Sequence, residues 1–415
     1  MRNTYAIVLL LSITSIHAQW TQLVHPTIER GDDLYFLNAD TGWVAGGGSG
    51  RILRTYDGGD FWWIVADFGD NYLRSIEFLD AQVGFCGSLD GQLYRTTDGG
   101  TTWTDIMPQL TQQVPGACGL ARADASTIYG TGVFFGPAYV IKSSDAGLTW
   151  QHFDLSAQAW CLIDVLFLNA DTGFVVGGAQ NSTLGASIFR TIDGGLTWTQ
   201  VFTTGAGNEW FWKIQSPDGQ HLFASIETGY QSRPRIARSN DAGLTWTLDT
   251  LANGFGRLQG VGFLDPQRGW AGDNVLFSTT NGGESWSSSF QLPGFNRFHK
   301  VNDQLAFAGG YGLFRYGPLN TGLPQPAPVA EVRDRLTATP LDASTLRIDV
   351  DLHNSGYSGI RIHGTLGAVV KEVNNGRLSP GPHSFTVDIS DLASGTYHAS
   401  LYTNLGFVSQ PVVKP

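Results

Sequence analysis

The chain has little charge, few cysteines and almost no long apolar runs. Only 15% of its 415 residues are charged, 25 Lys and Arg against 36 Asp and Glu. The resulting net charge of −11 would repel a phosphate backbone, which makes nucleic acid and anionic membrane surfaces poor partners for the body as a whole. Cys86, Cys118 and Cys161 are an odd number, so a disulfide framework is excluded; Cys118 with Cys161 is the one pairing worth considering, and buried thiols are the simpler reading. The single apolar run, Ala6 to Ile16, follows Arg2 and precedes Ala18. It reads as a secretory signal peptide over residues 1–18, shorter than the ~20 residues of a membrane span, and no later stretch is apolar enough to span a bilayer. An exported protein, extracellular or on the outer cell surface, is the expectation. Sustained helical periodicity is also missing, while glycine is abundant at 53 residues; both point to an all-β protein of short strands and tight turns.

What the chain does have is a repeat. RTIDGGLTWTQV, Arg190 to Val201, has near-copies throughout: TYDGGDFW, TTDGGTTW, SSDAGLTW, TIDGGLTW, SNDAGLTW and TTNGGESW. Their acidic positions, Asp57, Asp98, Asp145, Asp193, Asp241 and Asn281, are 41, 47, 48, 48 and 40 residues apart, which suits one supersecondary unit per copy. Upstream in several copies lies a second motif, as in FLNADTGWVAGG from Phe36 and FLDPQRGWAGD from Phe263. An apolar strand, a polar turn, a strand ending at glycine, an alternating strand, the acidic turn and a strand begun by Trp make each unit a four-stranded antiparallel meander.

In the turn, Asp accepts backbone N–H groups, Gly takes the left-handed position, and the hydroxyl residue closes the loop. Trp62, Trp103, Trp150, Trp198, Trp246 and Trp286 then anchor the hairpins in apolar packing. One carboxylate per turn is too few ligands for calcium, so the turns read as structural, and neither a metal nor a cofactor is expected.

These residues resemble the Asp-box signature, and with the added G-W/F segment they look most like the photosystem II stability/assembly factor-like (BNR, sialidase-like repeat) propellers. The resemblance implies a seven-bladed β-propeller over residues 19–317. Six boxes leave one blade to find: Arg297 to Gly317 matches the first three strands of a unit, and QWTQLV from Gln19 matches the fourth, so the first and last segments should pair and close the ring. The first box departs from the pattern with Phe61 in place of Thr, the sixth with Asn281 in place of Asp.

A Pro-rich linker is read over 318–332, then a small β-sandwich over 333–415, where LRIDVDL alternates strictly. Its seven basic and seven acidic residues cancel, leaving the acidity to the propeller. The segment from Gly381 through Asp391–Tyr397 to Val412–Lys414 resembles the C-terminal sorting domain of type IX secretion substrates, although the Pro-Asn-Pro opening is absent. That resemblance implies the secretion machinery as a partner.

Candidate binding residues lie where the loops joining successive blades and those between second and third strands should share one face: Tyr72, Arg74, Trp160, Trp210, Arg233, Arg257, Arg297 and His299, with Glu209, Trp212, Phe255, Phe295, Phe134, Phe135 and Tyr230 nearby. Aromatic faces with arginines suit sugar rings or an extended peptide. A basic residue also recurs at Arg54, Arg95, Lys142, Arg190, Arg238 and Arg315, expected to pair with carboxylates near the turns or, alternatively, to make a basic ring that meets an acidic partner. Sialidase-like chemistry would need converging arginines, an activated Tyr and an acid; the Arg-Ile-Pro motif that should precede the first box is missing. The sequence therefore reads as a noncatalytic propeller binding a protein or carbohydrate as a scaffold, with a sialidase-like glycoside hydrolase as the alternative.

Overall fold

The computed structural model describes residues 19–26, 28–179, 184–228, 233–252, 258–289, 294–317, 334–352, 356–364, 369–403 and 406–414. The expected signal peptide and linker, and Tyr230, Phe255 and Arg257, lie outside them. No described helix is long and apolar enough to cross a membrane.

Seven four-stranded antiparallel sheets form the propeller. Their inner strands are Gly31–Phe36, Leu73–Phe78, Leu120–Arg122, Ala159–Phe167, Glu209–Gln215, Gly260–Phe263 and Arg297–Asn302, named here blades 1 to 7 in that order. Each inner strand touches the next, and the last returns to the first, so the sheets enclose a central channel. Gln19–Leu23 supplies the outer strand of blade 7, pairing with Leu313–Gly317 so that Gln19 faces Gly317 and Leu23 faces Leu313. Trp20 locks this closure by meeting Trp270 and Tyr316 edge-on, at 5.3 and 5.4 Å between ring centres.

The acidic turns share one hydrogen-bond pattern. In the blade 4 turn, Thr191 Oγ1 donates to Asp193 Oδ1 at 2.7 Å and accepts from Gly195 N at 2.8 Å. The far side of the loop closes as Thr197 N and Oγ1 donate to the two carboxylate oxygens at 2.9 and 2.6 Å. Asn281 keeps the fold of its turn by reversing one bond, its Nδ2 donating to Ser285 Oγ at 2.9 Å. Two left-handed residues per turn are required; blades 3 and 5 place alanine there, Ala146 at φ 57° and Ala242 at φ 56°.

The upstream motif has its own geometric reason. Phe36, Phe78, Phe167 and Phe263 each lie flat over the glycine six residues on, where a Cβ would come within 2.6, 2.4, 2.6 and 2.5 Å of the ring. Trp62, Trp103, Trp198 and Trp286 meet these rings edge-on, at 5.9, 5.9, 6.2 and 6.0 Å. Two of the recurrent cations reach across blade boundaries to carbonyls: Arg95 Nε donates to Ala146 O at 2.9 Å and Lys142 Nζ to Gly194 O at 2.8 Å. Both acceptors belong to the next blade's acidic turn. Arg238 reaches both a carboxylate and a carbonyl, Asp249 at 2.9 Å and Gly282 O at 3.5 Å.

The C-terminal sandwich packs a sheet of Arg335–Pro340, Thr345–Leu352 and Gly381–Asp388 on a sheet of Val369–Leu378, Gly356–Gly364, Gly395–Thr403 and Gly406–Lys414. Ile348, Val350, Ile360, Ile362, Ala399, Leu401 and Val412 fill its core. Lys414 is buried, its ammonium donating to the carbonyls of Ile389, Ser390 and Leu392 at 2.6, 3.3 and 2.5 Å. The three cysteines are buried thiols, and no Cys118–Cys161 bridge is formed.

Candidate functional site

The channel has two unlike ends. Backbone bonds such as Gly58 N to Asp40 O and Gly194 N to Asp171 O tie the acidic turns to the hairpins that follow the inner strands, so both lie on one face, the turn face. The loops joining successive blades lie on the other, the crossover face.

Between them the inner strands place charges inside otherwise apolar segments. Asp32, Asp33, Arg74, Asp164 and Lys213 are each at most 2% exposed. Arg297 bridges blades 1 and 4, with Nε 2.8 Å from Asp33 Oδ1 and Nη1 3.1 Å from both oxygens of Asp164. Arg74 lies 3.7 Å from Asp32 and over the Trp212 ring at 5.0 Å. Asn296 accepts from Trp212 Nε1 at 2.9 Å and donates to Asp32 Oδ1 at 3.1 Å, joining blades 1, 5 and 7. The arginines and aspartates are thus held by groups from other blades, the condition under which buried charge is tolerated, whereas Lys213 has, among the described residues, only Asp164, at 3.8 Å.

The turn-face end opens into a cavity of about 350 Å³ to which all seven blades contribute, through residues that include Tyr35, Glu77, Arg122, Phe167, Lys213, Gln215, Val261, Arg297 and His299. His299 Nε2 donates to Phe36 O at 2.9 Å, which leaves Nδ1 as an acceptor. Burial, then the neighbouring Arg297, pulls the His299 imidazole down to about 4, so it is neutral. Burial pushes the Glu77 carboxyl up to about 8 and the Lys213 ammonium down to about 8.

The residues expected to share the crossover face are divided between three levels. Tyr72, Trp160, Trp210 and Arg233 lie at its loops or strand starts, with Trp160 46% exposed and Trp210 in the cluster that holds Phe134 and Trp212. Trp210 Nε1 donates to Glu227 at 3.4 Å, and Gln259 donates to both Glu227 oxygens at 3.2 Å. Arg74 and Arg297 instead point into the channel, and His299 lies at the opposite mouth. Two residues of strand carry it about 7 Å beyond Arg297. Glu209 pairs with Arg235 within its own blade, and Phe295 is buried. Sequence reasoning missed Asp32, Asp33, Glu77, Arg122, Asp164 and Lys213. The signal was present as lone charges inside apolar runs, Asp164 in CLIDVLF and Lys213 in WFWKIQ. Among the described residues, no group of His, Cys, Asp and Glu is arranged to hold a metal ion.

The family model described as "Photosynthesis system II assembly factor YCF48" matches residues 13–147. The photosystem II assembly lipoprotein Ycf48 of Synechococcus sp. (strain CC9902) is 26% identical over 318 residues, covering 72% of this chain and 87% of that protein. The propeller is similar to photosystem II assembly factors. HCF136 of Arabidopsis thaliana, a chloroplastic photosystem II stability/assembly factor, is 23% identical over 272 residues, 49% of this chain and 64% of the relative. Among solved structures, YCF48 from Cyanidioschyzon merolae superposes with a TM-score of 0.57 at 17% identity, covering 72% of this chain and 99% of that one. YCF48 bound to D1 peptide gives 0.55 at 18%, covering 72% and 94%. The GH74 enzyme of Niastella koreensis gives 0.54 at 14%, covering 94% and 73%. At these identities the superpositions speak for the fold alone. The relatives correct one expectation: a photosystem II assembly lipoprotein and a chloroplastic assembly factor overturn the assignment to the extracellular space or outer cell surface.

Proposed function

We propose that this chain is a noncatalytic propeller scaffold that holds a segment of a protein partner at the turn-face mouth of its channel. The observation that carries this reading is a polar cavity lined by all seven blades at the end of a channel braced by buried ion pairs. Such bracing fixes the lining groups in place, so a partner meets a preorganised surface. The Ycf48-like relatives support it, since they are named as assembly factors and one such protein was solved bound to a D1 peptide. Against hydrolysis stands the state of the channel carboxylates. A glycosidase needs two carboxyl groups flanking an accessible bond, whereas Asp33 and Asp164 are buried and committed to Arg297. Recognition of the sandwich by a secretion machinery rests on sequence resemblance alone and has no part in this reading.

The test is a screen of the full chain against a random dodecapeptide display library and, in parallel, a polysaccharide panel read for both retention and released sugar. Retained peptides with no released sugar are expected. Sugar release, or retention of glycans without peptides, would replace the scaffold reading with a hydrolase or a lectin.

A further inference from the structure

Lys213 stands out among the groups lining the mouth. It is 1% exposed, its Nζ has no hydrogen-bond partner among the described residues, and its nearest carboxylate oxygen is 3.8 Å away on Asp164. That carboxylate is already engaged: Arg297 Nη1 bonds both of its oxygens at 3.1 Å, and Ile214 N donates to Oδ2 at 3.0 Å. A buried ammonium without a hydrogen bond is costly, and native interiors rarely keep one unless something else completes it.

We propose that the turn-face mouth is an anion site that receives a carboxylate, bound by Lys213 with Arg122 and Arg297 lining the same cavity. The charge balance sets the valence. Arg297 is neutralised by Asp33 and shares Asp164 with Lys213. Lys300, also on the lining, pairs with Asp303 at 2.8 Å. Glu77, pushed up to about 8, carries its proton at neutral pH. Setting Arg122, Lys213 and Arg297 against Asp33 and Asp164 leaves one positive charge, which suits a monovalent carboxylate better than a phosphate dianion. The protonated Glu77 adds a donor, and His299 Nδ1 adds an acceptor for a ligand N–H or O–H. A cavity of about 350 Å³ accommodates a small organic acid or the end of a peptide chain.

The inference rests on the proposed scaffold role only where the carboxylate is a peptide's. Isothermal titration of the full chain at pH 7 would use four probes: butyrate, a tetrapeptide pool with free C-termini, the same pool amidated, and inorganic phosphate. Binding of a carboxylate probe at least tenfold tighter than its amide is expected, together with loss of that preference in Lys213→Met. Should Lys213→Met fail to fold, the exposed Arg122→Gln serves in its place, with several-fold weaker carboxylate binding expected. Peptides that bind equally with and without the carboxylate would overturn the site and leave the scaffold reading intact. Butyrate binding without any peptide binding would sustain the site and count against a protein partner. Preference for phosphate, no binding by any probe, or unchanged binding in the folded variants would overturn the proposal.

Discussion

The guanidinium carbon of Arg361, on the sandwich, lies 3.4 Å from the ring centre of Phe61, in the acidic turn of blade 1. This turn is where the repeat lost its Thr. Phe61, Trp63 and Tyr402 form one buried cluster, and Gly359 approaches so closely that a Cβ would come within 2.8 Å of Trp63. The sandwich thereby covers Asp57, which is 4% exposed. Burial and the nearby Asp60 push its carboxyl up to about 7. In the uncovered turns of blades 3, 4 and 5, hydrogen bonds from Thr149, Thr197 and Thr245 hold Asp145, Asp193 and Asp241 down to about 2.

Docking should therefore depend on pH. A carboxyl that sits low in an uncovered turn and is raised to about 7 when covered takes up a proton on docking. Asp57 therefore favours docking most at low pH, and its contribution is lost as pH rises through about 7. Asp60, Arg361 and Tyr402 share this environment and set the steepness of the change. Limited proteolysis at pH 5.5 and 8.5 should show faster cleavage between propeller and sandwich at the higher pH. Asp57→Asn should flatten the difference, and equal rates in the parent protein would refute the linkage.

Phe61→Thr restores the consensus turn and removes the ring beneath Arg361. Calorimetry should then resolve a separate, earlier sandwich transition while the propeller transition stays within a few degrees of its original position. A single unshifted transition would mean that the Phe61 contact does not couple the two.

Ala146→Gly and Ala242→Gly relieve left-handed backbone at two acidic turns. Each should raise stability by about 1 kcal/mol, read as a higher urea midpoint with an unchanged slope. A fall in midpoint would place the strain elsewhere.

Trp198 is 7% exposed and edge-on to Phe167 at 6.2 Å. Trp198→Ala should cost about 3–5 kcal/mol, a larger loss of melting temperature than Asp193→Ala, whose carboxylate faces solvent. The reverse order would make the hydrogen-bonded turn, not the aromatic anchor, the stabilising part of the repeat.

The fold was largely legible because each blade repeats the same local constraints. Asp193 needs hydroxyl partners at fixed offsets, and Phe167 needs a glycine at position 173, so the chain repeats those letters. Closure was legible for the same reason, since Gln19–Leu23 copies a strand missing from the other end. The candidate site was not, because it is assembled from positions that differ between blades. Asp33, Asp164 and Arg297 are far apart in sequence and meet only across the channel. Depth along the channel changes by about 3.3 Å with each residue of inner strand, so Arg74, Trp160 and His299, expected together, lie at three levels.

The pairing of Gln19–Leu23 with Leu313–Gly317 also dictates an order of events during synthesis. The first described strand to leave the ribosome has no partner until the last part of the propeller has followed it. For the time needed to make nearly three hundred residues, a growing stack of blades carries an open edge at either end. Trp20 then acts as the clasp of an unfinished ring, and a lesion near residue 317 would strand a segment completed long before.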